Sequence, residues 1–297
     1  MTVPPPTVVV PERGTGLRRS AVIADPGGGF VWLRRAGEQA PVPLVTLPEP
    51  TAALVAAIRT PAGSRWTTGT RAGDWLGFPM PAPRSVWEEL VTARPVPGDL
   101  TLETTFRECG RLLRALHDVP APADGPRPPS LDRLMAWLAA DNPQPAPAAR
   151  ARQALADTVG DDRWRLLQEW TRDLGRPGAL VHGWFGLGHV ARGEADTVRA
   201  CVGDDAAAGD PALDVGFLLG QVRELEAFGR PAPDAALTRR LRAALVTGYG
   251  ELPAQVDRAA AVQLALHVHD FAHYFAVVDH ELPTWARLVA AAVEQAR

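Results

Sequence analysis

Three prolines within six residues, Pro79-Met80-Pro81-Ala82-Pro83-Arg84, divide this chain into two textures. Proline fixes its own φ, lacks an N–H and biases the preceding residue away from helix, so neither a helix nor a central strand runs through such a stretch. Before it, the apolar residues read as short strands. Ser20–Arg35 holds two β-rich runs around Asp25-Pro26-Gly27-Gly28-Gly29, the signature of a hairpin turn. Residues 1–13 read as an extended entry strand, 49–58 as one short helix, and 65–70 and 74–80 as two more strands. After the prolines the helical period takes over. Leu102, Phe106, Cys109, Leu113 and Leu116 share one face of a helix over 102–117. Further helices are expected over 86–93, 131–140, 149–174, 212–228, 234–250 and 256–279, with a final turn after Pro283. ALVHG (179–183) and TVRACVG (197–203) are expected as two short strands. The fold class is α+β: a small β-rich N-lobe (1–82) and a large helical C-lobe (83–297).

Composition removes several functions. The 31 basic residues are all Arg; the chain contains no Lys. Schiff-base chemistry, a P-loop lysine and a lysine general base are therefore excluded. The net charge of −3 carries no basic stripe, so nucleic acid is not an expected partner. The pairs Arg18–Arg19, Arg34–Arg35 and Arg239–Arg240 read as solvated faces. No apolar run of membrane-spanning length and no signal-peptide pattern occurs, so a cytoplasmic protein without membrane contact is expected. Cys109 and Cys201 lack the spacing of a zinc site or a disulfide framework.

Three segments resemble the aminoglycoside and choline phosphotransferase branch of the protein-kinase-like fold. Arg107–Pro120 (RECGRLLRALHDVP) resembles the helix that ends there in Leu-His. Leu180–Val190 (LVHGWFGLGHV) resembles the catalytic loop, usually His-Gly-Asp-Leu-His-Pro-Gly-Asn-Val. Gly209-Asp210-Pro211-Ala212-Leu213-Asp214-Val215 resembles the Gly-Asp-Pro-x-x-Asp-Leu segment. The resemblance implies a two-lobed kinase-like fold with ATP and Mg²⁺ as cofactors. It also implies a degenerate site. The catalytic Asp falls on Trp184 and the metal-binding Asn on His189. Seven residues before Gly209, where a second metal carboxylate is usual, stands Val202, with Asp204 and Asp205 next to it as candidate carboxylates. An indole has no group that accepts a proton. The phosphate-holding cation falls on Arg34, and its acidic helix partner near Thr51, with Glu49 the nearest acid. His182 is read as an organiser of the loop, Asp214 as the acceptor of its backbone N–H groups, and Asp210 as a helix cap.

The loop HGWFGLG, followed by Asp214-Val215-Gly216-Phe217-Leu218-Leu219-Gly220, further resembles kinase-like subunits of class V lanthipeptide and thioamide-peptide biosynthesis. That resemblance implies a precursor peptide and a lyase or other modification enzyme as partners. The chain would then be a peptide-binding or activating subunit, or a divergent peptide Ser/Thr kinase. Two alternatives stand beside it. One is an active small-molecule phosphotransferase that takes its metal ligand from Asp204 or Asp205. The other is a metal protein built on His269, His273 and His280, which helical spacing of 100° per residue would bring within about 40° of one another. On that helix Phe271, Tyr274 and Phe275 are expected to face the core. Gly27–Gly29 opens no helix and reads as a turn rather than a phosphate loop. Of the nine Trp, Trp66, Trp75 and Trp87 fall near the proline stretch and could line a groove.

Overall fold

A computed structural model describes residues 7–92, 101–122, 125–141, 143–203, 205–228, 235–275 and 280–297. Asp204 lies outside the described residues.

The N-terminal part is a five-stranded antiparallel sheet. Its strands are β1 (Val8–Gly14), β2 (Arg18–Ala24), β3 (Phe30–Ala36), β5 (Thr70–Ala72) and β6 (Trp75–Met80), in the order β1-β2-β3-β6-β5. The β2–β3 turn forms where Asp25 and the glycines demand it. Gly28 N–H donates to the Asp25 carbonyl at 2.9 Å, and Gly27 N–H to Asp25 Oδ1 at 3.0 Å. One helix, α1 (Glu49–Ala57), precedes β4 (Arg65–Thr68). Strand β4 leaves this sheet and runs parallel to a strand of the second lobe, which its local sequence does not announce.

The bend at 81–84 leads into α2 (Val86–Thr92). Ser85 and Glu88 form a reciprocal cap there: Glu88 N–H donates to Ser85 Oγ at 3.2 Å, and Ser85 N–H to Glu88 Oε2 at 2.8 Å. The rest is helical: α3 (Thr101–His117), α4 (Pro129–Ala139), α5 (Ala146–Val159), α6 (Asp161–Leu174), α7 (Ala212–Phe228), α8 (Ala235–Tyr249), α9 (Val256–Tyr274) and α10 (Leu282–Gln295). Four short strands interrupt them: β7 (Ala179–Val181), β8 (Val190–Arg192), β9 (Val198–Val202) and β10 (Ala207–Gly209). β7 pairs with β10, and β9 lies between β4 and β8. The two strands expected in this region are thus four, in two small sheets.

Other expectations change for local reasons. The segment 149–174 is two helices, because Gly160 adopts φ +79° and ψ 157° between them. The chain after Pro283 belongs to a 14-residue helix rather than a turn. Helix α9 stops at Tyr274, where Phe275 turns to extended dihedrals (φ −130°, ψ −154°). Tyr274 is buried, but Phe271 and Phe275 are exposed. Trp66 is core, its indole N–H donating to the Leu112 carbonyl at 3.1 Å. Trp75 packs under the Arg35 guanidinium, and Trp87 lines a small cavity of about 210 Å³ with Phe228 and Trp285.

Two apolar clusters fill the helical lobe, one of which also takes in Val55 of α1 and Trp66 of β4. A third joins the lobes: Val22, Trp32, Leu76, Phe78 and Met80 of the sheet pack on Ala191 and Cys201 of β8 and β9.

Helices α7 and α9 are tied by a largely buried pair. His267 Nδ1 lies 2.5 Å from Glu224 Oε1, which also accepts from Gln263 Nε2 at 2.9 Å. Burial alone would lower the imidazole pKa. The Glu224 charge and its contact outweigh burial and raise it. A raised folded-state pKa gives stability that is complete below the ordinary imidazole value of about 6.5 and is lost as pH rises through the folded value. Wild type is therefore expected to exceed Glu224→Gln in melting temperature by most in acid, with the gap closing toward alkaline pH. A gap that stays constant across that range would show that His267 carries no proton in the pair.

Candidate functional site

The segment 182–189 is shaped by Asp214, a fully buried carboxylate in the first turn of α7. Its Oδ2 accepts the His182 N–H at 2.6 Å, and its Oδ1 the Gly183 N–H at 2.9 Å. His117, the last residue of α3, brings Nε2 to 3.1 Å from Oδ2 and Nδ1 to 2.9 Å from the Tyr249 hydroxyl. Burial pushes the Tyr249 phenol up to about 12, so it remains a donor at neutral pH. This network places a proton on His117 Nε2. The resemblance located the Leu-His helix end without giving His117 this task, since nothing in the local sequence links it to a residue 97 positions away.

His182 is fully buried. Its Nε2 donates to the Cys201 carbonyl at 3.0 Å, and its Nδ1 accepts the Trp184 N–H at 3.3 Å. Both ring nitrogens thus hold backbone. Gly183 stands at φ +85°, and a Cβ there would lie 2.1 Å from the Asp205 carbonyl oxygen, so only glycine fits. Ser130 Oγ donates to the Gly183 carbonyl at 2.7 Å, and the Leu187 N–H reaches Gln221 Oε1 at 2.8 Å. Asp210 receives the Ala212 N–H on Oδ1 at 2.8 Å and Gln255 Nε2 on Oδ2 at 3.0 Å.

Trp184 is half-buried and carries two guanidinium groups on its ring, Arg18 of β2 at 5.1 Å and Arg133 of α4 at 5.3 Å. Each cation also meets a carboxylate. Arg18 Nη2 lies 2.5 Å from Asp205 Oδ2, and Arg18 Nη1 lies 3.4 Å from His189 Nε2. Arg133 Nη2 lies 3.4 Å from Asp270 Oδ2, whose Oδ1 meets His269 Nδ1 at 2.7 Å. Burial would raise the Asp270 pKa, but Arg133 and His269 outweigh it and hold the carboxyl below its usual range. His273 is lowered by burial and by the neighbouring His269. The β1–β2 turn closes over this group, with Gly16 N–H donating to the Tyr274 carbonyl at 2.9 Å.

The solvated face expected for Arg18 is not found, and Arg34, expected both in such a pair and as the candidate phosphate-holding cation, turns inward with it. Residues of a strand alternate between faces, so each Arg pair splits. Arg19 and Arg35 meet Glu12 outside. Arg34 is buried, stacks on Phe78 at 5.6 Å and donates to the Gly188 carbonyl at 3.1 Å. Val202 is fully buried within β9. Glu49 is exposed on α1. Asp205, a candidate carboxylate, is buried and lies beside the Arg18 guanidinium.

The histidine stripe is corrected. His269 and His273 sit 5.3 Å apart by ring centroid, but α9 ends before His280, which is exposed at the approach to α10. Among the described residues no three His, Cys, Asp or Glu side chains converge as a metal-binding group.

The profile of the Phosphotransferase enzyme family matches residues 32–257. None of the curated protein sequences matches the chain. Among solved structures the chain is similar to the amicoumacin kinase hAmiN in complex with AMP-PNP, Ca2+ and Ami. The two share 13% identity over 96% of this chain and 88% of that one, with a TM-score of 0.54. The ADP-bound aminoglycoside phosphotransferase APH(2'')-Ib shares 9% identity over 99% of this chain and 95% of that one, with a TM-score of 0.53. The choline kinase of Cryptosporidium parvum Iowa II shares 10% over 97% and 88%, with a TM-score of 0.50. At these identities the likeness establishes the kinase-like fold. Among the described residues, no helix is long and apolar enough to cross a membrane.

Proposed function

The chain belongs to the phosphotransferase enzyme family, and on that premise we propose that it is a member whose phosphotransfer centre has become a binding scaffold. It serves as a pseudokinase-like, peptide-binding or activating subunit in the dehydration of a ribosomally made peptide. The observation that carries this reading is Trp184 with Arg18 and Arg133 on its ring. Where an acceptor oxygen would need a carboxylate to take its proton, the loop presents an indole already engaged with two cations.

Among the described residues, those at the usual nucleotide and metal positions do not match the groups that would hold ATP and Mg²⁺. The Trp32 indole fills the space between the sheet and β8–β9, and its N–H donates to the Ala82 carbonyl in the interlobe bend at 2.8 Å. Val202 and His189 stand at the two metal positions, and Asp205 is held by Arg18. The peptide side of the reading rests on the His-Gly-x-x-x-Leu-Gly loop and its similarity to lanthipeptide-type subunits.

The test has two arms. The purified chain is expected to release no phosphate from ATP in the presence of Mg²⁺, and Trp184→Asp alone is expected not to create that release. A precursor peptide and a lyase, the partners this reading requires, are expected to co-elute with the chain without nucleotide. Transfer of labelled phosphate by wild type to a peptide or an aminoglycoside would overturn the first half. Absence of any complex with the peptide or the lyase would overturn the second.

A further inference from the structure

Strands β4 and β9 run parallel with Arg65 registered beside Arg199. Neighbours in register share a sheet face, and like charges placed so repel. Among the described residues neither guanidinium has a carboxylate partner. Arg199 Nη1 donates to the Pro79 carbonyl at 3.1 Å, which fixes its fork and leaves its other donors to the surroundings. Both side chains line a cavity of about 580 Å³ together with Arg192, whose Nε lies 3.3 Å from Glu89 Oε2. Among the described residues Glu194 is the one acid in the lining. Glycines at 29, 63 and 193 leave the rim without side chains, and Pro81 brings in the interlobe bend. The cavity shares no residue with the 182–189 loop.

We propose that this cavity is an anion site for a phosphate-chain ligand, a small molecule bearing a di- or triphosphate. Planar guanidinium forks match phosphate oxygens bidentately, and an anion between Arg65 and Arg199 removes the repulsion their register creates. The volume exceeds that of a single phosphate and suits a ligand of nucleotide size. Residues from the first lobe, the interlobe bend and the β8–β9 hairpin all line the cavity, so an occupant touches both lobes.

Calorimetric titration of the full chain with tripolyphosphate at low salt tests this. Wild type is expected to bind, and to bind more weakly as salt rises. Arg65→Gln and Arg199→Gln are each expected to weaken binding about tenfold or more. Both variants are expected to melt no lower than wild type without ligand, which separates a lost contact from a lost fold. Competition by ATP at the same site identifies a nucleotide as the ligand, and its absence a free polyphosphate. Failure of wild type to bind tripolyphosphate, or equal binding by both variants, overturns the proposal. Neither result bears on the reading of the Trp184 loop.

Discussion

Replacing Asp214 with Ala is expected to destabilise the chain by about 3–5 kcal/mol, the largest effect of any polar substitution in the loop region. The carboxylate is fully buried and receives three donors: the N–H groups of His182 and Gly183 and Nε2 of His117. Ala removes the acceptor and leaves all three without water. Two elements lose their joint at once, because the donors belong to the β7 exit and to the end of α3. For a chain of this size the melting temperature should fall on the order of 10 °C. Asp214→Asn keeps one carbonyl oxygen and turns the other acceptor into a donor facing donors, so it should fall between the two. The check is a thermal or urea melt of the three proteins. If the Ala variant melted within about 2 °C of wild type, the loop would be held by something other than this carboxylate.

The second large effect belongs to Trp32. Its truncation to Ala leaves a cavity in the cluster between the sheet and β8–β9 and should cost about 3–5 kcal/mol. The indole is buried against Val22, Phe78, Met80 and Cys201, and its N–H satisfies the Ala82 carbonyl. Ala leaves that carbonyl exposed to the new space. A cavity bounded by apolar walls with one carbonyl at its edge accepts a flat heterocycle bearing an N–H donor. Trp32→Ala is therefore expected to gain a measurable melting shift with adenosine that wild type lacks. Wild type that binds adenosine, with the variant binding it less well, would show that Trp32 lines an occupied pocket instead of filling one.

Much of the framework was legible in the residues. Asp25-Pro26-Gly27-Gly28-Gly29 specifies its turn because proline and glycine restrict or free φ by themselves. The face Leu102, Phe106, Cys109, Leu113 and Leu116 is buried as the helical period requires. The loop glycines and Asp214 were found through motif spacing, and the spacing works because backbone N–H groups and their acceptor must meet at fixed geometry.

The content of the site was not legible. Arg18 and Arg19 are adjacent and chemically alike. One stacks on Trp184 and meets Asp205, 187 residues away; the other pairs outside with Glu12. Which of the two turns inward depends on the register of β2 in the sheet, and register is set by pairing with other strands rather than by the Arg pair itself. The same holds for the parallel pairing of β4 with β9, which puts Arg65 beside Arg199 across 134 positions of sequence. Local stereochemistry, readable residue by residue, determined the turns and the buried face of α3. Tertiary packing alone decided which side chains fill the space between the lobes, because that choice depends on registers and contacts spanning most of the chain.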